Sequence, residues 1–211
     1  MLVPEAKDFE LLEQGTQVAT CFAFIDLGTQ DGQYGPKRTV RVMWEIDGKL
    51  REDGKPFIVS ALFNFSVSDK SKLKPFIEAM MGRKLTREET KGSASERFDT
   101  RNLIGRPCLI QAVHDVDGDK TFVNVESAMP LPASIPAPAS VSSEKVYFVL
   151  DPAEFDEAVF KNLPEWAQNK IGLSPEWMNL VANKQHRGKV AGPVGQKAAA
   201  PSADWRDEIP F

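Results

Sequence analysis

The chain is poor in the residues from which most catalytic centres are built. It has two histidines, His114 and His186, and two cysteines, Cys21 and Cys108. With His186 in a tract of low apolar content, no histidine-based general base or metal cluster is available. Cys21 and Cys108 both lie inside apolar, strand-like runs, which fits buried reduced thiols better than a disulfide framework or a zinc site. No glycine-rich loop followed by Lys-Ser or Lys-Thr is present, so nucleotide hydrolysis is unsupported. No run approaches the ~20 apolar residues needed to span a bilayer, and the acidic Met1–Gln14 stretch lacks the order of a signal peptide. The expectation is a cytoplasmic protein with no membrane partner, no cofactor and no enzymatic activity.

Charge is present but unevenly placed. The formal net charge is −4, yet residues 37–87 hold twelve Lys or Arg against six Asp or Glu, and the remainder holds fourteen against twenty-four. A local basic field attracts phosphate whatever the overall balance.

Periodicity supplies the order of elements. Thr16–Leu27 is apolar and β-prone and is followed by a Gly/Pro-rich loop. In Arg38–Ile46, Val40, Val42, Trp44 and Ile46 alternate with Thr39, Arg41, Met43 and Glu45. Lys55–Val67 repeats the pattern, with Phe57, Val59, Ala61, Phe63, Phe65 and Val67 on one face. Ser68-Asp69 opens a helix that reaches about Met81, and Gly82 stops it; Pro75 predicts a late start or a kink. Two more strands, Pro107–His114 and Lys120–Val125, flank an Asp-rich turn. The order β-β-β-α-β-β predicts a mainly β fold, the five-stranded OB-fold barrel.

The chain then divides as an N-terminal extension (1–15), the barrel (16–129), a Pro-rich connector (130–145), an appended strand and helical segment (146–181) and a disordered tail (182–211). Helices are expected over 152–161, 164–171 and 175–181, each with Pro near its first position. Their apolar residues must dock either on the barrel or on another subunit, the second choice making a homo-oligomer.

Single strands are bound by cations along the backbone and by exposed aromatics that stack on bases at ~1–3 kcal/mol each. With Cys21, Ala23, Ile25 and Leu27 facing the core, Phe22 and Phe24 face out, as do Arg41 and Met43 on the second strand; a register slipped by one would bury both phenylalanines instead. Trp44 lies in the apolar register and reads first as core, second as a stacking platform. Lys37, Arg38, Arg51, Lys55, Lys70, Lys72 and Lys74 sit in loops and strand ends around that surface. At the other end of the chain, Asp207, Glu208, Ile209, Pro210 and Phe211 form a portable ligand of two carboxylates, two apolar side chains and a stiffening proline.

That terminal pentapeptide resembles the acidic tip of bacterial single-stranded DNA-binding proteins. Ala19–Glu45, Asp69-Lys70-Ser71-Lys72-Leu73 and Leu163-Pro164-Glu165-Trp166 resemble a family of bacteriophage OB-fold single-stranded DNA-binding proteins, over residues 16 to about 170. Thr20 and Ala61 stand where that family tends to carry a basic residue. The resemblance implies non-sequence-specific binding of single-stranded DNA in phage replication or recombination, with replication or recombination enzymes recruited by the tip. Two rivals remain: a non-enzymatic interaction adaptor and a metal-dependent nuclease. For the second, Asp115, Asp117 and Asp119 superficially match a calcium loop, but Lys120 occupies the position that needs glycine, and strands flank the turn.

Overall fold

The computed structural model describes residues 10–32, 35–118 and 120–187, with 183–187 as backbone only. The strands are β1 (Gly15–Gln30), β2 (Lys37–Leu50), β3 (Pro56–Asn64), β4 (Pro107–Asp117), β5 (Lys120–Met129) and β6 (Val146–Phe148). The helices are α1 (Leu73–Met81), α2 (Arg87–Lys91), α3 (Glu157–Asn162), α4 (Glu165–Gly172) and α5 (Pro175–Arg187). The fold is mainly β. Antiparallel neighbours run in the order β3-β2-β1-β4-β5, and β6 adds to β1 in parallel. The end strands β3 and β5 lie against each other, but no ladder joins them among the described residues.

The long β1 is shared by every part of the sheet. Its first residues, Gly15–Thr20, pair with β4, and Ala23–Ile25 pair with β6. Residues from Ala19 onward pair with β2, with register shifts between Cys21 and Ala23 and between Asp26 and Gly28. Each shift is a bulge, in which one extra residue breaks the two-residue alternation and bends the strand.

The bulge at Phe22 corrects the expected facing of β1. Cys21 and Phe24 join a first core with Val40, Val42, Trp44, Ile46, Phe57, Val59 and Phe63, which α1 covers with Leu73, Phe76, Ile77 and Met80. Phe22, Ala23, Ile25 and Leu27 join a second core on the opposite face. The alternations of β2 and β3 appear as the sequence indicates, since neither carries a bulge through its apolar run.

The second core answers where the appended segment docks: on the sheet of its own chain. Val146, Phe148, Leu150, Leu163, Trp166, Ala167, Ile171 and Leu180 cover the outer face of β1 and Met43 of β2. Phe160 stacks on Trp177 with centroids 4.2 Å apart, and Phe155 meets Trp177 edge-on. The backbone turns tightly to allow this docking. Gly28 has φ +73°, and a Cβ there would lie 2.4 Å from Ser174 Cβ, so only glycine fits beneath the α4–α5 junction.

Local signals account for the helix boundaries. α1 starts late, with Pro75 in its first turn, where a missing N–H is harmless, and Gly82 ends it in the left-handed region. α2 was unread as a helix although Thr86 and Glu89 form a full capping box. Asp156 caps α3 by accepting from Ala158 and Val159 N–H, which sets its start at Glu157 rather than Pro152. α5 continues to Arg187, past Ala182 where the disordered tail was expected to start, because Ala182–Arg187 holds no glycine or proline to stop a helix; the rest of that expected tail lies outside the described residues. Asp115 and Asp117 lie at the end of β4, paired with Phe122 and Lys120 of β5, and Asp119 lies outside the described residues.

The two phenylalanines of β1 therefore belong to different cores. Phe24→Ala is expected to lower unfolding free energy by ~3–5 kcal/mol in a urea titration, and Phe22→Ala to do the same. A loss below ~1 kcal/mol for either would place that ring outside its core.

Candidate nucleic-acid interface

The two rings expected to stack on bases, Phe22 and Phe24, are sealed, as is Met43, which was expected to face out beside them, while Trp44 lies in the core as its apolar register indicates. Phe22, Phe24, Met43 and Trp44 are each 0 % exposed, so none presents a ring or thioether to a ligand. The cause differs on the two sides of the sheet. Phe24 and Trp44 point into the first core, whereas Phe22 and Met43 lie on the outer face that the appended segment covers.

Four of the eight predicted cations are held by carboxylates. Arg38 pairs with Asp26, Arg51 and Lys55 with Asp53, and Lys74 with Asp69 at 2.6 Å. Within the same basic window, Lys49 meets Glu13, Arg83 meets Glu89 and Lys84 meets Glu78. Pairing of this kind is weak for exposed groups, but it neutralises the local field that the window would otherwise project. Lys37, Lys70 and Lys72 are exposed. Lys37 stands at one end of the β2–β3 pair with Asn64, and Arg51 and Lys55 stand at the other, so the fold does not gather the predicted cations into one site.

Asp26 is the charged group most completely enclosed. Its carboxylate accepts from Gly28 N–H and Leu150 N–H, both at 3.0 Å, and from Arg38 through Nε and Nη2. Arg38 Nη2 also donates to Leu150 O at 3.3 Å. Burial works to lower the Arg38 guanidinium, but the bonds to Asp26 outweigh it and hold the group above its ordinary value. Arg38 is thus a strut between β1, β2 and the appended segment. A lone carboxylate within Phe24-Ile25-Asp26-Leu27 was the signal in the sequence for such a pair.

Two further carboxylates hold the same segment. Glu45 accepts from Ser142 N–H and Oγ–H and from Ser143 N–H at 2.7–3.1 Å, fixing the end of the connector. Glu176 of α5 accepts from Thr29 N–H at 2.8 Å and Thr29 Oγ–H at 2.6 Å. Burial would raise the Glu176 carboxyl, but the Thr29 bonds, with Arg38 adding a smaller effect, hold it below the usual carboxylate range.

An open concavity of about 390 Å³ lies at the base of the β1–β2 loop. Its lining includes Lys37, Lys170, Gln30, Asn64 and Leu62, with Asp31 as the acid among them. Gln30 Nε2–H donates to Lys170 O at 2.9 Å, which ties α4 to the end of β1 and brings Lys170 to the wall. Leu62 is 53 % exposed. Lys170 escaped the sequence reading because it lies outside the basic window, in a segment read only for its apolar pattern.

Arg41 remains on the outer face beside this cleft. Its guanidinium carbon sits 4.8 Å from the Trp166 ring centroid, and Nε–H donates to Ser60 Oγ at 3.0 Å. Burial pulls this group below its ordinary value.

The two thiols are free and buried, and burial pushes both upward, Cys108 to about 12. Among the described residues no three His, Cys, Asp or Glu side chains come together as metal ligands, and no helix is long and apolar enough to cross a membrane. Asp207, Glu208, Ile209, Pro210 and Phe211 lie outside the described residues. No family model and no curated protein matches the chain.

The Glu176–Thr29 contact carries a pH signature. A depressed folded-state carboxyl adds stability that is full above the ordinary range of ~4.3 and is lost as pH falls through its lower folded value. Glu176→Gln should reduce the melting temperature at neutral pH, and the gap from the unmodified chain should narrow at about pH 3. A gap independent of pH would show that the contact works without its charge.

Proposed function

We propose that this chain is a five-stranded OB-fold barrel that binds single-stranded DNA without sequence preference during phage replication or recombination, and that it recruits partner enzymes through Asp207–Phe211. The observation that carries the reading is the cleft with Lys37 and Lys170 at the β1–β2 loop, the place where OB-folds take oligonucleotides. The strand path β3-β2-β1-β4-β5, the approach of β3 to β5 and a helix between β3 and β4 support the barrel. In this reading the protein acts as a binder and not as an enzyme.

Burial of Phe22 and Phe24 shifts the expected energetics. With those rings withdrawn, contact to phosphates is the main term, and affinity falls steeply with salt at about −0.7 in log–log slope per phosphate contact. The ion pairing of Arg38, Arg51, Lys55 and Lys74 favours a second reading, an adaptor whose barrel binds protein. Titration of oligo-dT against the full chain at low and high salt separates the two.

Binding at low salt that weakens with added salt, and that falls about tenfold in Lys37→Glu and in Lys170→Glu, supports the strand reading. No binding at low salt overturns it in favour of the adaptor. Deleting Asp207–Phe211 is expected to leave oligo-dT affinity intact while removing co-precipitation of replication or recombination enzymes. Loss of strand affinity on that deletion would contradict the division of labour.

A further inference from the structure

Arg41 is the cation of the outer face that the fold constrains most and neutralises least. One face of its guanidinium lies on the Trp166 indole, and Nε–H is held by Ser60. No carboxylate pairs with it among the described residues. Its two Nη nitrogens meet no acceptor there either, and neither is among the fully enclosed unpartnered nitrogens of the described residues. A planar fork fixed by stacking and by one hydrogen bond, with its Nη donors unpaired at a partly buried edge, is a geometry that recognises an oxyanion through two parallel N–H bonds.

The surroundings extend this fork toward the cleft. Leu62, which lines the cleft, is the register partner of Arg41 across β2–β3. Trp166 and Lys170 are four residues apart on α4 and share one face of that helix, so the ring that stacks on Arg41 and the α4 residue that lines the cleft are neighbours. Lys37 completes the cleft from β2. The appended segment therefore does more than cover the sheet: α4 supplies both the surface that orients Arg41 and a residue of the cleft wall.

We infer that Arg41, oriented by Trp166 and Ser60, is a phosphate-binding fork that continues the Lys37–Lys170 cleft along the outer face of β2–β3. The ligand class is a phosphate ester, and its identity as the phosphodiester of a DNA strand rests on the function proposed above. Charge alone does not reproduce the fork, because lysine offers a point charge without the planar pair of donors.

The test uses the full chain and two probes. Inorganic phosphate is titrated while the Arg41 Nε–H signal, assigned by its loss in Arg41→Lys, is followed by NMR; a saturable shift is expected. Oligo-dT is titrated against Arg41→Gln and Arg41→Lys, with about tenfold weaker binding expected for each. Arg41→Gln should also reduce the salt slope by about 0.7, while Arg41→Lys should leave the slope unchanged. Ser60→Ala leaves the stacking ring and the charge in place and should weaken oligo-dT binding about threefold, which decides the matter if the Arg41 variants fail to fold. A phosphate-induced shift without oligo-dT binding supports the fork and overturns the strand reading. Oligo-dT binding with wild-type affinity and slope in Arg41→Gln overturns the fork and leaves the strand reading standing. Absence of both the shift and strand binding overturns both.

Discussion

A single enclosed carboxylate constrains how this chain closes. Asp26 is 0 % exposed within the long apolar run of β1, and a charge so placed is tolerated only when its lone pairs are met. Meeting them demands Gly28 N–H from its own turn, Arg38 from the neighbouring strand and Leu150 N–H from a residue far along the chain. The third donor arrives only if β6 has been laid beside β1, so the carboxylate links β1 and β2 to the appended segment. Burial of apolar surface drives that docking, but it is nondirectional, and Asp26 selects the register in which it occurs.

The same strand explains what was legible in the sequence and what was not. Alternation in β2 and β3 is regular, and Val40, Val42, Trp44, Phe57, Val59 and Phe63 lie in the core it indicates. In β1 nearly every residue from Ala19 to Leu27 is apolar, because both faces are covered, so no polar face marks the register. Bulges at Phe22 and Leu27 then shift the facing twice within a few residues. Neither event leaves a mark in hydrophobicity alone, which is why Cys21 and Phe24 share a core that strict alternation would divide between them. The helix boundaries were more legible where a cap was recognised, as at Gly82, than where one was overlooked, as at Thr86 and Glu89.

The basic window shows a different limit. Counting charges along the chain finds an excess over residues 37–87, but folding supplies partners both from within the window, as Asp53 does for Arg51, and from outside it, as Glu13 does for Lys49. Net charge survives such pairing, while the field near any one cation does not. Lys170, outside the window, reaches the cleft because Gln30 draws the end of α4 to β1. Position in the fold, more than density along the sequence, decides which cations can act together.

Covering β1 also redistributes chemistry over the sheet. An outer face carrying Phe22, Ile25 and Met43 would be a broad apolar surface, open to bases and equally to aggregation. Residues 146–180 occupy that face with a second core, and three carboxylates, Asp26, Glu45 and Glu176, lock the cover at separate points. What remains open is the margin where the cover ends: the cleft at the β1–β2 loop and the β2–β3 strip beside α4. There the cover contributes Trp166 and Lys170 as side chains facing the sheet's own Arg41 and Lys37. The site proposed at that margin draws on both layers at once, so loosening the cover disturbs it before it exposes the apolar face beneath.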